Sequence, residues 1–233
     1  MPREIANILN AYQTWLTTID AAFQSVKIAR PAAIPCHAGC SACCYALFAV
    51  PLIDGFLVWR DIHRRPPDIA RDLMDRCHRL VVDWVAATAP DPPPINGVGF
   101  RIETIGWRVF DAMVDAFQRP CPFLTNAGLC CVYDGRPRIC RLAGTVFVDP
   151  TSGVRLPDFC PTAEDARNNA SFDAAPFPIA AMDGRLMEFQ ERFAAALESE
   201  TGRRIRAGHT FPAAGVLEAA AFELPVHRFG EDR

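Results

Sequence analysis

The chain predicts a mainly α fold: an irregular helical domain with cysteine-rich metal-binding loops and at most one short β-hairpin. Three observations predict it. Apolar residues recur at three- and four-residue spacing over much of the chain. Prolines cut these runs into helix-length pieces. Most of the ten cysteines gather in two segments that carry neither period. The 233 residues suffice for a sizeable core, and 50% hydrophobic with 22% charged content is ordinary for a globular protein. The expected organisation is a single domain over 1–233, with a cysteine-cluster region at about 36–160. The N-terminal helix and a C-terminal helical extension pack on it.

The first helix is expected over 3–29. Ile5, Ile8, Leu9, Tyr12, Trp15, Leu16, Ile19, Phe23 and Val26 form one apolar stripe. Pro31 and Pro35 stop it, and the stripe reads as core-facing. After the first cysteine loop, Pro51 sits where the first turn of a helix to about Arg64 would begin, with Gly55 weakening its middle. Pro66-Pro67 opens a helix to about Thr88, on whose apolar face Cys77 reads as a small buried hydrophobe. Residues 89–99 form a proline-rich linker that reads as an ordered surface loop in preference to a domain boundary. The helical period resumes over 101–119, about 162–170, 183–200 and 212–222. Leu142 to Val148 reads as the one strand, with Val154 to Leu156 as its hairpin partner.

The net charge of -3 and a pI near 6.0 leave no electrostatic footprint for nucleic acid. Lysine is almost absent, and the positive charge is nearly all arginine. No basic segment followed by an apolar run opens the chain, and no stretch approaches the ~18 apolar residues of a membrane span. A cytoplasmic location is expected, with no membrane partner. In a reducing compartment clustered cysteines read as metal ligands or redox groups sooner than as disulfides.

Four of these thiols fall between Cys36 and Cys44, as Cys36-x3-Cys40-x2-Cys43-Cys44. Downstream stand Cys121, Cys130, Cys131, Cys140 and Cys160. Thiolate is a soft ligand that suits zinc and iron–sulfur clusters, and short spacings let one loop present several sulfurs to one centre. Tyr133, Arg136 and Arg141 accompany the second group, as Cys130-x2-Tyr133-x2-Arg136-Pro137-x2-Cys140-Arg141. Arginines here would offset the negative charge of a thiolate-held group, by bonding to sulfur or to nearby backbone. His37 lies inside the loop as a ligand, a supporting donor or an ordinary loop residue. The other four histidines are scattered, and no nucleophile–base pair stands out.

Together with Cys121-Pro122-Phe123-Leu124 and Cys160, these segments resemble the YkgJ-type cysteine-cluster family, described as zinc- or iron-chelating domains. The resemblance covers roughly 36–160. It implies a metal-ligand set of Cys36, Cys40, Cys43, Cys44, Cys121, Cys130, Cys140 and Cys160, with Cys77 and Cys131 outside it.

Three functions compete. The first is a cysteine-ligated protein, with an iron–sulfur cluster of the 4Fe-4S kind, in electron transfer, cluster handling or metal delivery to a protein partner. Iron–sulfur is preferred to zinc because structural zinc sites draw on compact paired knuckles, and this spacing is less regular. The second is a protein-modifying enzyme, since flagellin lysine methylases resemble this family in their cysteine region. No glycine-rich S-adenosylmethionine fingerprint supports it; Gly97-Val98-Gly99 is too short. The third is a zinc-stabilised interaction module.

Overall fold

The computed structural model describes residues 1–29, 31, 34, 36–88, 119–145, 160, 179–205, 208–222 and 224, with isolated positions 102, 106, 108, 110 and 114. In chain order the elements are α1 (Arg3–Ala29), a 3₁₀ turn (Ala42–Tyr45), β1 (Val50–Pro51), α2 (Leu52–His63), α3 (Pro67–Thr88), α4 (Arg138–Leu142), α5 (Ile179–Thr201), β2 (His209–Thr210) and α6 (Pro212–Ala221). The molecule is mainly helical, as its periodicity predicts.

Helix α2 is the centre. Every residue from Leu52 to Ile62 is buried, as expected of a helix packed on all sides. It packs on α6, and α6 in turn packs on α3. Gly55 explains the first contact. A Cβ there would meet the backbone of Gly215 at 2.7 Å, so two glycines let the helix axes approach. The glycine that weakens α2 as a sequence is the one its packing requires.

Helix α1 buries Ile5, Ile8, Leu9, Tyr12, Leu16, Ile19 and Phe23, the predicted stripe, while Trp15 and Val26 are half-buried. It lies along α5, where the Phe189 ring meets Tyr12 edge-on at 5.3 Å and Trp15 at 5.7 Å. Helix α5 begins at Ile179, four residues earlier than its expected start at 183.

The only sheet among the described residues is an antiparallel pair, Val50 with Thr210 and Pro51 with His209. It joins distant segments and was not legible as a hairpin. The expected strand from Leu142 needs correction at its start. Leu142 instead closes the short helix α4, and Ala143-Gly144 turns the chain. Pro137, extended at ψ 155°, precedes the first turn, Arg141 holds the preceding backbone, and Gly144, at φ +89°, ends the run. The rest of that strand, its partner at 154–156, the loop at 89–99 and the helix at 162–170 lie outside the described residues. Of 101–119 only isolated positions are described, and Ile102 and Phe110 among them are buried in the core.

Candidate metal centre

The first cysteine segment folds on its own backbone. Cys40 N–H donates to the His37 carbonyl at 3.0 Å, made possible by Gly39 at φ +86°. Cys44 N–H donates to Ser41 O at 2.9 Å and Ala46 N–H to Cys43 O at 3.2 Å, forming the 3₁₀ turn. These bonds close the segment into a tight loop, with the Cys43 and Cys44 thiols hydrogen-bonded to each other.

The second segment is a knuckle. Leu124 N–H donates to Cys121 O, Thr125 N–H to Leu129 O, and Cys131 N–H to Phe123 O, all within 2.8–3.0 Å. Cys121 N–H then reaches Cys44 O at 2.7 Å. The two segments are therefore bonded to each other directly. Gly128 seals the contact, since a Cβ there would lie 3.0 Å from Gly39 O.

The third piece is α4, which carries Cys140 in its first turn. Asp54, on the buried helix α2, accepts from Arg138 N–H at 3.3 and 3.4 Å and from the Tyr12 hydroxyl at 2.8 Å. Arg138 also pairs with Asp183 of α5 at 2.9 Å. Beyond α4, the Cys36 thiol donates to Ala143 O at 3.7 Å. A Cβ on Gly144 would lie 2.6 Å from Cys36 Sγ, so that residue must be glycine for the thiol to sit there.

These pieces enclose one cavity of about 410 Å³. Seven of the eight expected ligands line it: Cys36, Cys40, Cys43, Cys44, Cys121, Cys130 and Cys140. Cys160, buried, does not line it but acts electrostatically on Cys36. Cys77 and Cys131 do not line it; Cys77 is fully buried on α3. Among the described residues no three His, Cys, Asp or Glu side chains gather tightly enough to hold a single metal ion. All ten cysteines are free thiols.

Burial governs the thiols. It pushes Cys36 up to about 11, helped by Cys160, Cys40 and Cys43 and opposed by Lys27. It pushes Cys121 up to about 12, opposed by a bond from the Phe123 backbone. Cys140 is raised by burial and by Cys121, Cys43 and Cys130. Cys43 is raised chiefly by its hydrogen bond with Cys44. Burial first, and mutual repulsion after it, keeps Cys36, Cys121 and Cys140 protonated until a cation neutralises them. Three basic side chains line the same cavity, Lys27, Arg119 and Arg136, and none of its described lining residues is a carboxylate. Arg136 favours the thiolate forms of Cys43 and Cys130.

The expected cofactor-side residues divide. Tyr133 and Arg136 line the cavity, and the Arg136 guanidinium lies over the Tyr133 ring at 3.8 Å. Arg141 does not line it. Its side chain is 3% exposed and donates to Arg136 O at 3.1 Å and Asp134 O at 2.6 Å. Both arginines pair with Asp20 of α1, Arg136 at 2.8 Å. Arg141 thus holds the backbone that presents Arg136 and Cys140. Asp20, Asp54, Lys27 and Gly144 escaped the sequence reading. One signal was present: Asp20, Phe23, Gln24 and Lys27 share the i, i+3, i+4, i+7 spacing of a helix face.

Comparison of the chain with protein-family models, curated proteins and solved structures gives no match. No described helix is long and apolar enough to cross a membrane.

Proposed function

We propose that this is a cysteine-ligated metal protein whose centre is an iron–sulfur cluster, serving electron transfer, cluster handling or metal delivery to a protein partner. One observation carries the reading: seven thiols and three basic side chains, with no carboxylate among the described lining residues, surround one cavity. Soft sulfur donors suit iron–sulfur clusters and zinc, and a described lining without carboxylates disfavours calcium or magnesium. A group held by four thiolates carries net negative charge, which the lysine and arginines would offset.

The choice of cluster over zinc rests on spacing. Structural zinc sites draw on compact paired knuckles, and Cys36-x3-Cys40-x2-Cys43-Cys44 with the scattered downstream cysteines is less regular. Cys43, Cys121 and Cys130 all act electrostatically on Cys140, and these four cavity thiols are the quartet we assign to the cluster. Cys36, Cys40, Cys44 and Cys160 stand as further ligands beside them. A bound cluster would supply one-electron chemistry. The chain's part is to fix the thiol positions, to place Arg136 and to bury the sulfurs. The resemblance to the YkgJ-type family points the same way, and free thiols fit a reducing cytoplasm.

The test is the iron, zinc and sulfide content of protein purified without oxygen. Comparable iron and sulfide with a broad visible absorption band support the reading. Zinc alone, without colour, overturns the cluster and leaves a zinc-stabilised module.

A further inference from the structure

Lys27 is the only lysine in a chain with 24 basic residues. It stands on the last turns of α1, one helical face with Asp20, Phe23 and Gln24. Asp20 fastens that face to Arg136 and Arg141. Phe23 is buried against the core, and Lys27 itself is half-buried on the wall of the thiol cavity. Helix α1 therefore lays a short stripe against the cavity, and the end of that stripe is an ammonium on the same cavity wall as Cys36. Among the described residues, Lys27 acts on Cys36 in the direction that favours its thiolate.

We propose that Lys27 is a residue of the metal centre, its ammonium balancing the negative charge of the thiolate-held group on the Cys36 side and raising that group's reduction potential. The proposal rests on the reading of the cavity as a metal centre. The two sides of the cavity are served differently. Arg136 acts on Cys43 and Cys130, and its charge is shared with Asp20 at 2.8 Å. Lys27 acts on Cys36. Reduction adds negative charge to the centre. A nearby cation stabilises the reduced form more than the oxidised one, which raises the potential.

The single lysine makes the test selective. Full-length protein is loaded with ferrous iron and sulfide without oxygen, then acetylated with an amine-selective reagent and digested. The Lys27 peptide reports the lysine alone, since the N-terminal amine falls on another peptide. Loading is expected to slow Lys27 acetylation severalfold. K27M is expected to lower the midpoint potential, and K27R to stay near wild type. An acetylation rate that loading does not change overturns the proposal, and so does a wild-type potential in K27M. If the wild-type protein takes up zinc in place of iron and sulfide, stripping of zinc by a chelator replaces the potential. Faster loss from K27M than from K27R then supports the proposal, and equal loss overturns it. A wild-type protein that binds neither metal fails before any variant is compared, and overturns the proposal together with the reading beneath it.

Discussion

The backbone N–H of Cys121 donates to the carbonyl of Cys44 at 2.7 Å. Both residues line the same cavity, so the two cysteine segments are one structural unit before any metal enters. Metal loss should therefore follow from damage to either segment. Cys40→Ser and Cys140→Ser should each lower bound metal and loosen the fold, because binding energy in such sites is folding energy. Cys77→Ala removes a thiol outside the cavity and should keep full metal at a cost of about 1 kcal/mol. Metal analysis and urea unfolding of the three variants check this. Full occupancy in C40S or C140S would count against a shared centre.

Arg141 offers a second test. Its fork serves Asp20, Arg136 O and Asp134 O at once. Lysine keeps the charge but cannot donate along those fixed directions. Arg141→Lys should destabilise the protein by about 2 kcal/mol and weaken metal retention, since buried carbonyls lose their partners. Denaturant unfolding gives the first number, and chelator stripping the second. Wild-type values in both would make the clamp dispensable.

Gly144→Ala combines two faults. The residue sits at φ +89°, and its new Cβ would fall 2.6 Å from Cys36 Sγ. The backbone strain alone costs about 1–2 kcal/mol. Moving the Cys36 thiol should in addition speed metal loss to a chelator, an effect absent from Gly184→Ala, where open space surrounds the glycine. Equal stripping rates in the two variants would remove Cys36 from the ligand set.

The buried Asp54 carboxyl predicts a pH dependence. Burial raises it from 3.8 to about 6, opposed by the Tyr12 hydroxyl, Arg138 and Arg141. Between these values the folded protein keeps a proton that the unfolded chain has released. Stability of the metal-free protein should fall as pH rises from about 4 to 6, with an Asp54 share of up to about 3 kcal/mol. Asp54→Asn keeps an acceptor for Tyr12 and removes the charge, so the fall should flatten. Urea midpoints at pH 4, 5 and 6.5 for both proteins decide it; parallel curves would assign the dependence to other groups.

The helices were legible because their signals are local. The α1 stripe, the proline breaks at Pro31 and Pro66-Pro67, and Pro212 at the start of α6 each act within a few residues. The pairing of Val50 with Thr210 was not legible, since two residues per strand leave no alternation to read. Helix α4 was missed for a related reason. Its five residues carry no full apolar period, and what holds it is Asp54 from α2 and Arg138's pair with α5. At the site, the thiols announced themselves by residue type and spacing. Asp20, Lys27 and Asp54 did not, because an acidic or basic residue on a helix reads as a solvated face until the fold puts a cavity beside it. Arg136 and Arg141 looked equivalent in the sequence, yet one faces the thiols and the other grips the backbone behind them.

The central claim is that the cavity between Cys36 and Cys140 holds an iron–sulfur cluster. Its most direct measurement is iron, zinc and acid-labile sulfide per chain in protein isolated without oxygen, read beside the visible absorption spectrum. Iron and sulfide in comparable amounts, a broad band, and loss of both in Cys140→Ser are expected. A colourless protein that carries zinc without sulfide, or no metal after anaerobic reconstitution, would contradict it.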